Sequence, residues 1–224
     1  MTKIVVSFDR APAWQDLVTV SATVVGIKDE PQHLWYRIET DREPDALTVA
    51  HAFAVSTINI AMALGRDLTI DGPLTPGLLL NLQEFQAAWA RWMPDRFRPI
   101  DIQARELVAD DAFRPERRFV VPFSGGLDSM YTAWSLHQRG TLGALVPIHG
   151  LDISITQDER WSLTLARLRD CAVSLGVPLC AVQTNWNDFA RGLPGYLGYF
   201  PPIVAAGLLI AQDYGAVAVA SASS

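Results

Sequence analysis

Residues 119–129 read FVVPFSGGLDS, and their pattern is that of a strand, a loop and the start of a helix. The first five residues are a nearly continuous apolar run, which is typical of a buried strand. Gly125 and Gly126 end that run, and a helical pattern follows as far as Gln138. Strand, loop and helix units of this kind build parallel sheets that helices cover.

The chain after residue 129 continues the same alternation of strands and helices. Gly and Pro mark the ends of the apolar segments, and the segment lengths separate strands from helices. The predicted strands are 142–148, 179–184 and 216–220, and the predicted helices are 158–175 and 203–213. We therefore predict an α/β fold for this half, with a parallel sheet and helices on both faces.

The first half mixes strands and helices without a strict alternation, so we predict a small α+β N-terminal domain over residues 1–115. Residues 116–224 form the second predicted domain. A doubly wound sheet usually continues beyond a fourth strand, so we expect this domain to be incomplete at its carboxyl end. The elements predicted in the first half are strands at 3–8, 17–25, 34–38, 68–70 and 100–108, helices at 46–64 and 76–92, and a turn at 71–73.

Composition narrows the class of partner. Half of the 224 residues are hydrophobic and the formal net charge is −6, which argues against a general nucleic-acid binder. Cys171 and Cys180 are too few for a four-cysteine zinc site, and two reduced cysteines are the favoured interpretation. No signal peptide or membrane span is predicted, so we expect a cytoplasmic protein with no membrane partner. A homo-oligomer is left open.

The loop at residues 124–129 has the chemistry of an anion cradle. Two adjacent glycines let the backbone turn sharply, so that successive N–H groups point at one set of oxygens. The following helix adds the positive end of its dipole, while Ser124 and Ser129 add hydroxyls. Asp128 would repel phosphate, so it either caps the helix or holds Mg²⁺. The competing interpretation is a structural glycine turn.

Other glycine-rich motifs do not fit this loop. The loop lacks the lysine of a Walker A motif and the spacing of a dinucleotide fingerprint. Ser124 precedes the two glycines, whereas the serine of a hydrolase elbow lies between them.

Ser-Gly-Gly-Leu-Asp-Ser after an apolar strand resembles the PP-loop of the N-type ATP pyrophosphatases, a superfamily that includes asparagine synthetase and 7-cyano-7-deazaguanine synthase. The resemblance covers roughly residues 119–224. It implies a flavodoxin-like sheet and a loop, Ser124, Gly125, Gly126, Leu127, Asp128 and Ser129, that holds ATP with Mg²⁺. Asp128 and Ser124 are then the candidate catalytic residues, and Asp128 is the candidate metal ligand.

Further candidates follow the other strands, because ligands of open α/β sheets sit beyond the carboxyl ends of the strands. His149, Gly150 and Asp152 follow the second strand of the predicted sheet; in similar proteins this segment lies beside the adenosine, and the alternative is an ordinary turn. Asn185 follows the third strand and either touches the nucleotide or caps a turn. Ser221 follows the fourth.

The resemblance implies an adenylating enzyme that splits ATP into AMP and pyrophosphate. The AMP would activate a carboxylate or amide oxygen of a small-molecule or modified-base substrate for attack by a nitrogen nucleophile, with sulfur less favoured. The alternative is a non-catalytic module that binds ATP or AMP, or a subunit of a larger complex.

Overall fold

The computed structural model describes residues 3–9, 17–40, 42–110, 118–194, 200–214 and 216–217. The strands are β1 (Ile4–Asp9), β2 (Leu17–Val25), β3 (Gln32–Glu39), β4 (Leu68–Leu74), β5 (Ile102–Leu107), β6 (Phe119–Pro122), β7 (Leu142–Val146), β8 (Ile148–His149), β9 (Val182–Thr184) and β10 (Ala216–Val217). The helices are α1 (Ala46–Leu64), α2 (Pro76–Trp92), α3 (Leu127–Gln138), α4 (Asp158–Leu175), α5 (Trp186–Ala190) and α6 (Phe200–Tyr214).

The described strands form a seven-stranded mixed sheet of order β5-β4-β1-β2-β3-β9-β8 and a three-stranded parallel sheet of order β10-β6-β7. Only Pro147 separates β7 from β8. The Leu145 N–H donates to the Pro178 carbonyl at 3.0 Å, and the Cys180 N–H donates to the Leu145 carbonyl at 2.9 Å. These bonds join the two sheets edge to edge. The predicted α/β class is confirmed, with a mixed sheet because β1, β2, β3 and β9 pair antiparallel.

Helices cover both faces of the sheet around β6 and β7. Neighbouring residues of a strand point to opposite faces. Val120 packs in the cluster that includes residues of α1 and α6, whereas Val121 packs in the cluster that includes residues of α3 and α4. Ala144 and Leu145 divide between the same two clusters. The strands of this region are therefore buried on both sides, which explains their continuous apolar sequence.

The two halves of the chain contribute to the same sheet and to the same hydrophobic core. β3 pairs antiparallel with β9, with Tyr36 opposite Thr184, and α1 packs against α6. One hydrophobic cluster contains buried residues from both halves, among them Phe53 of α1 and Leu209 of α6. The predicted boundary at residue 115 lies outside the described residues, and the division into two domains stays a prediction.

Helix α1 is the most buried long helix of this core. The Asp45 carboxylate accepts a hydrogen bond from the Thr48 N–H at 2.7 Å, and Gly65 ends the helix with φ of +60°. Among the described residues, α1 is the one helix with the length and apolar composition of a membrane span. In this fold, 78% of that window is buried, as in a core helix.

Two local predictions were wrong. The turn predicted at residues 71–73 is absent, because β4 continues to Leu74 and pairs with β5 through a register shift between Ile70 and Pro73. Gly72 serves packing there, since a Cβ would lie 2.6 Å from the Phe8 ring. Helix α6 begins at Phe200, so the prolines that follow lie in its first turn, where proline is tolerated.

Candidate functional site

The chain turns between β6 and α3 through the two glycines of the loop. Gly125 has φ of +76°, in the left-handed region that favours glycine. Gly126 has φ of −73° and ψ of 165°, an extended conformation that any residue adopts, and forms the N-cap of α3. The Gly126 carbonyl accepts the first helical hydrogen bond from the Met130 N–H at 2.9 Å. The predicted strand, loop and helix are thus confirmed.

A side chain at Gly125 would also collide with α4. A Cβ there would lie 2.8 Å from Leu168 Cδ2, closer than packed carbon atoms approach. Backbone conformation and close packing therefore both favour glycine at this position.

Hydrogen bonds of the two serines hold the loop closed. The Gly126 N–H donates to Ser124 Oγ at 3.2 Å, and the Ser129 hydroxyl donates to the Gly126 carbonyl at 3.0 Å. The two hydroxyl oxygens lie 3.3 Å apart, within hydrogen-bond reach of each other. The predicted pair of hydroxyls is therefore brought together on one side of the loop.

No side chain caps the start of α3. The N–H groups of Leu127, Asp128 and Ser129 precede the first residue that can bond within the helix, so they need outside partners. The capping role considered for Asp128 is not observed. Its exposed carboxylate instead lines the cavity that the loop borders.

This cavity has a volume of about 230 Å³ and lies beyond the carboxyl ends of β6 and β8. Both polar and apolar side chains line it. The polar members are Ser124, Asp128, Ser129, Asp152 and Thr164. The remaining residues that line it are Pro122, Phe123, Ile148, Leu151, Ile153, Trp161, Leu168 and Ile203.

His149 does not line the cavity. Its buried ring stacks on Trp161, with ring centroids 4.7 Å apart and planes 3° apart. Nε2 lies 2.9 Å from the Ser154 carbonyl, to which it donates as the neutral tautomer, and Nδ1 has no hydrogen-bond partner among the described residues. Burial lowers the pKa of His149, and the hydrogen bond to Ser154 and the charge of Asp158 oppose that shift. His149 thus supports the wall of the cavity from behind.

Gly150 permits the turn that brings Asp152 to the cavity. Its φ is +102°, and a Cβ would lie 1.9 Å from the Thr184 carbonyl. The chain can therefore pass directly over the end of β9 only with glycine here. The Gly150 N–H donates to the Ile153 carbonyl at 2.9 Å, which closes the turn with Asp152 exposed.

Asn185 lies apart from the cavity lining. Its Oδ1 accepts a hydrogen bond from the Trp35 N–H, and its Nδ2 donates to the His33 carbonyl, both at 2.9 Å. Both ends of the amide thus bind the backbone of β3. Ser221 lies outside the described residues, as does part of the preceding strand.

The sequence did not nominate the residues that α4 and α6 contribute to the cavity. Trp161, Thr164 and Leu168 of α4 and Ile203 of α6 lie far from the loop in sequence. The spacing of the three α4 residues, i, i+3 and i+7, marks one side of a helix and was the available signal. Which surface that side contacts follows only from the tertiary fold.

No group of three or more His, Cys, Asp or Glu side chains suited to a metal ion occurs among the described residues. Mg²⁺ at a phosphate site needs fewer protein ligands, because it binds through one or two carboxylates together with phosphate oxygens and water. Asp128 and Asp152 are the carboxylates that line the cavity.

Comparisons with protein-family models, curated proteins and solved structures find no match to this chain. The resemblance to the PP-loop proteins therefore depends on the residues of the loop itself and on the strand and helix around it.

Proposed function

We propose that the cavity binds ATP with Mg²⁺ and that the chain belongs to the adenylating PP-loop type, with residues 116–224 forming a flavodoxin-like half. The observation that carries the proposal is the uncapped start of α3, which opens through the Gly125-Gly126 turn onto a cavity that is otherwise mostly apolar. Free N–H groups at a helix start favour an anion, and the apolar walls favour an attached ring.

The loop would hold the phosphates. The N–H groups of Leu127, Asp128 and Ser129 supply donors, and Ser124 Oγ adds a polar oxygen at the same edge. The Asp128 carboxylate would hold Mg²⁺, since a bare carboxylate beside phosphate is otherwise unfavourable. When bound, Mg²⁺ neutralises charge on the phosphate oxygens and on the departing pyrophosphate.

The opposite side of the cavity would hold the nucleoside. Ile148, Leu151 and Trp161 supply apolar walls for a base, and Asp152 is a hydrogen-bond acceptor for ribose hydroxyls. With the phosphates and the ribose held in this way, the α phosphate would lie between the loop and Asp152. An acceptor oxygen would attack the α phosphorus there, the α–β phosphoanhydride bond would break, and pyrophosphate would leave.

The main catalytic contribution of such a site would be position and charge, because the loop would hold the phosphates of ATP and offer fixed N–H donors beside them. The adenylated acceptor would then react with a nitrogen nucleophile and release AMP. We propose a small molecule or a modified base with a carboxylate or amide oxygen as the acceptor.

A calorimetric titration with Mg²⁺ and α,β-methylene-ATP tests the proposal. We expect saturable binding to the wild-type chain and none to Gly126→Val, because a side chain there projects into the loop 3.3 Å from Ser124 Oγ while the backbone conformation suits any residue. Equal affinities would refute the cradle. Binding of ATP without pyrophosphate release, in the presence of candidate acceptors, would leave a nucleotide-binding module in place of an enzyme.

A further inference from the structure

Thr164 is the polar residue that helix α4 contributes to the cavity. It follows Trp161 by three residues and precedes Leu168 by four, so the three side chains lie on one side of the helix, and all three line the cavity. The Thr164 side chain is half-buried. The roles assigned above to the loop and to Asp152 leave its hydroxyl unused.

The Thr164 hydroxyl has no hydrogen-bond partner among the described residues. Serine and threonine hydroxyls in helices often donate to a carbonyl oxygen of the preceding turn. In α4 itself, the Ser174 hydroxyl donates to the Asp170 carbonyl in this way at 2.9 Å. Because Thr164 forms no such bond with the described part of the chain, its hydroxyl is available to a ligand in the cavity.

Of the hydroxyl groups that line the cavity within the described residues, that of Thr164 is the one outside the loop. The hydroxyls of Ser124 and Ser129 are already engaged in hydrogen bonds within the loop. The carboxylates of Asp128 and Asp152 accept hydrogen bonds when ionised and donate none. A ligand oxygen that lies beyond the loop can therefore accept a hydrogen bond from Thr164.

The helical rise of α4 places Thr164 between the two ends of the proposed ATP site. At one end, Leu168 lies against the loop, since a Cβ at Gly125 would be 2.8 Å from Leu168 Cδ2. At the other end, Trp161 forms part of the apolar wall assigned to the base. At about 1.5 Å per residue, Thr164 lies about 6 Å along the helix axis from Leu168 and about 4.5 Å from Trp161. This is the level of the α phosphate in an ATP molecule whose β and γ phosphates bind the loop.

We propose that the Thr164 hydroxyl donates a hydrogen bond to a non-bridging oxygen of the α phosphate and is a catalytic residue of the adenylation step. This inference depends on the proposed function, because it names a contact to the ATP of that same site. Ionised phosphate oxygens accept hydrogen bonds and donate none, so the α phosphate needs a donor such as Thr164. Ribose hydroxyls can donate, which suits them to the Asp152 carboxylate.

The hydrogen bond from Thr164 acts on the position and charge of the α phosphate. An oxygen of the acceptor forms a new bond to the α phosphorus, the bond from that phosphorus to the bridging oxygen breaks, and its electron pair leaves with pyrophosphate. Thr164 keeps its proton throughout. Its hydroxyl holds the α phosphorus in line with the attacking oxygen and stabilises the charge on the non-bridging oxygens.

Titrations of Thr164→Val test the contact, because valine keeps the shape of threonine and lacks its hydroxyl. With Mg²⁺ present, we expect the variant to bind α,β-methylene-ATP and inorganic tripolyphosphate about tenfold more weakly than the wild type, as for one lost hydrogen bond to a charged group. Adenosine should bind equally well to both. Thr164→Ser, which keeps a hydroxyl, should recover most of the affinity. Ser162→Ala is the matched control, because it removes a hydroxyl from the exposed side of the same helix.

The outcomes separate this inference from the proposed function. A wild type that binds none of the three ligands would overturn both. A wild type that binds the ATP analogue, together with a Thr164→Val variant that binds all three ligands equally well, would overturn only the role of Thr164. Weakened adenosine binding in Thr164→Val would place the hydroxyl at the nucleoside or in the framework of the cavity, and would also overturn that role.

The two diastereomers of adenosine 5′-O-(1-thiotriphosphate) give a readout that a purely structural role of Thr164 would not move. In each diastereomer, sulfur replaces a different non-bridging oxygen of the α phosphate, and sulfur is a weaker hydrogen-bond acceptor than oxygen. A hydroxyl at a fixed position reaches only one of these two atoms. We expect the ratio of the two affinities to differ by about threefold or more between the wild type and Thr164→Val, and to return in Thr164→Ser. The same ratio in the wild type and Thr164→Val, at equal Mg²⁺, would refute a contact to the α phosphate.

Discussion

The imidazole of His149 lies flat against the indole of Trp161, 4.7 Å away and within 3° of parallel. One face of Trp161 is thus fixed by a buried ring, while the side chain also lines the cavity. Burial lowers the pKa of His149, so the imidazole is neutral at neutral pH. The cavity wall therefore depends on a group that resists protonation.

We expect this contact to make stability depend on pH. Because the folded-state pKa of His149 is below the ordinary value of about 6.5, the unfolded chain binds the proton first, and stability falls as pH falls below about 6.5. His149→Phe keeps an aromatic ring but cannot titrate. It should cost about 1–3 kcal/mol at pH 7.5, because the Ser154 carbonyl loses its donor, and this cost should shrink at pH 5.

Urea unfolding of wild type and variant at both pH values measures the difference. Burial also lowers the pKa of His51. Because His51 is present in both chains, its effect on stability cancels in the difference between wild type and variant. Gln138→Ala, an exposed change at the end of α3 that removes no titratable group, should leave the pH profile parallel to the wild type. A cost of His149→Phe that stays constant between pH 5 and 7.5 would contradict the prediction.

Gly125 and Gly140 form a matched pair of glycines at the two ends of α3. Their φ angles are +76° and +67°, but a Cβ at Gly125 meets Leu168 at 2.8 Å, whereas a Cβ at Gly140 meets nothing within 4 Å. We expect Gly140→Ala to cost about 1 kcal/mol of stability, from backbone strain only, and to leave nucleotide affinity unchanged. Gly125→Ala should cost roughly 1–3 kcal/mol and weaken binding at least about tenfold.

Thermal unfolding and the same calorimetric titration, applied to both alanine variants, check this pair. Equal losses of nucleotide affinity in the two variants would mean that the loop has no special role, since Gly125 belongs to the loop and Gly140 does not.

The loop was predictable because its signals are local. An apolar strand, two glycines and a helical pattern follow one another within 20 residues, and each restricts its own backbone. The cavity walls were not predictable from the sequence, because Trp161 and Ile203 come near the loop only through the packing of α4 and α6. His149 illustrates the same limit: it ends a strand, as expected of a site residue, but the alternation along β8 places Ile148 in the cavity wall and His149 behind it.

Removing the Asp128 carboxylate should separate the part of nucleotide binding that depends on Mg²⁺ from the part that needs no metal. We expect Asp128→Asn to weaken Mg²⁺-dependent binding of α,β-methylene-ATP by about tenfold or more, or about 1.4 kcal/mol. With EDTA present, the variant should bind no more weakly than the wild type, because one negative charge beside the phosphates is gone. Asp170→Asn, on the exposed side of α4, is the control. Equal Mg²⁺ dependence in Asp128→Asn and wild type would remove Asp128 from the metal site.

Asp152 should act on the nucleoside and not on the phosphates. We expect Asp152→Asn to weaken binding of the ATP analogue about 3- to 10-fold, as for one lost hydrogen bond to a charged group. Binding of inorganic tripolyphosphate, measured by competition, should be unchanged. Gly126→Val should weaken the binding of both the ATP analogue and tripolyphosphate. Loss of tripolyphosphate binding in Asp152→Asn would mean that the phosphates bind beside Asp152 and not at the loop.

Asn185 should act on stability and not on binding. Its amide accepts from Trp35 and donates to His33, so it ties the end of β9 to β3 and thereby the second half of the chain to the first. We expect Asn185→Ala to lower the free energy of unfolding by about 2–3 kcal/mol, since two backbone groups lose their partners. Nucleotide affinity should stay at the wild-type value. Asn187→Ala is the contrasting variant, because the Asn187 amide donates to the Leu151 carbonyl beside the cavity and its loss should weaken nucleotide binding.

Denaturant unfolding followed by circular dichroism and by tryptophan fluorescence should give one coincident transition for the wild type, because β3–β9 pairing and α1–α6 packing couple the halves. Two separate transitions would support independent domains, and a loss of affinity in Asn185→Ala at unchanged stability would return Asn185 to the nucleotide site.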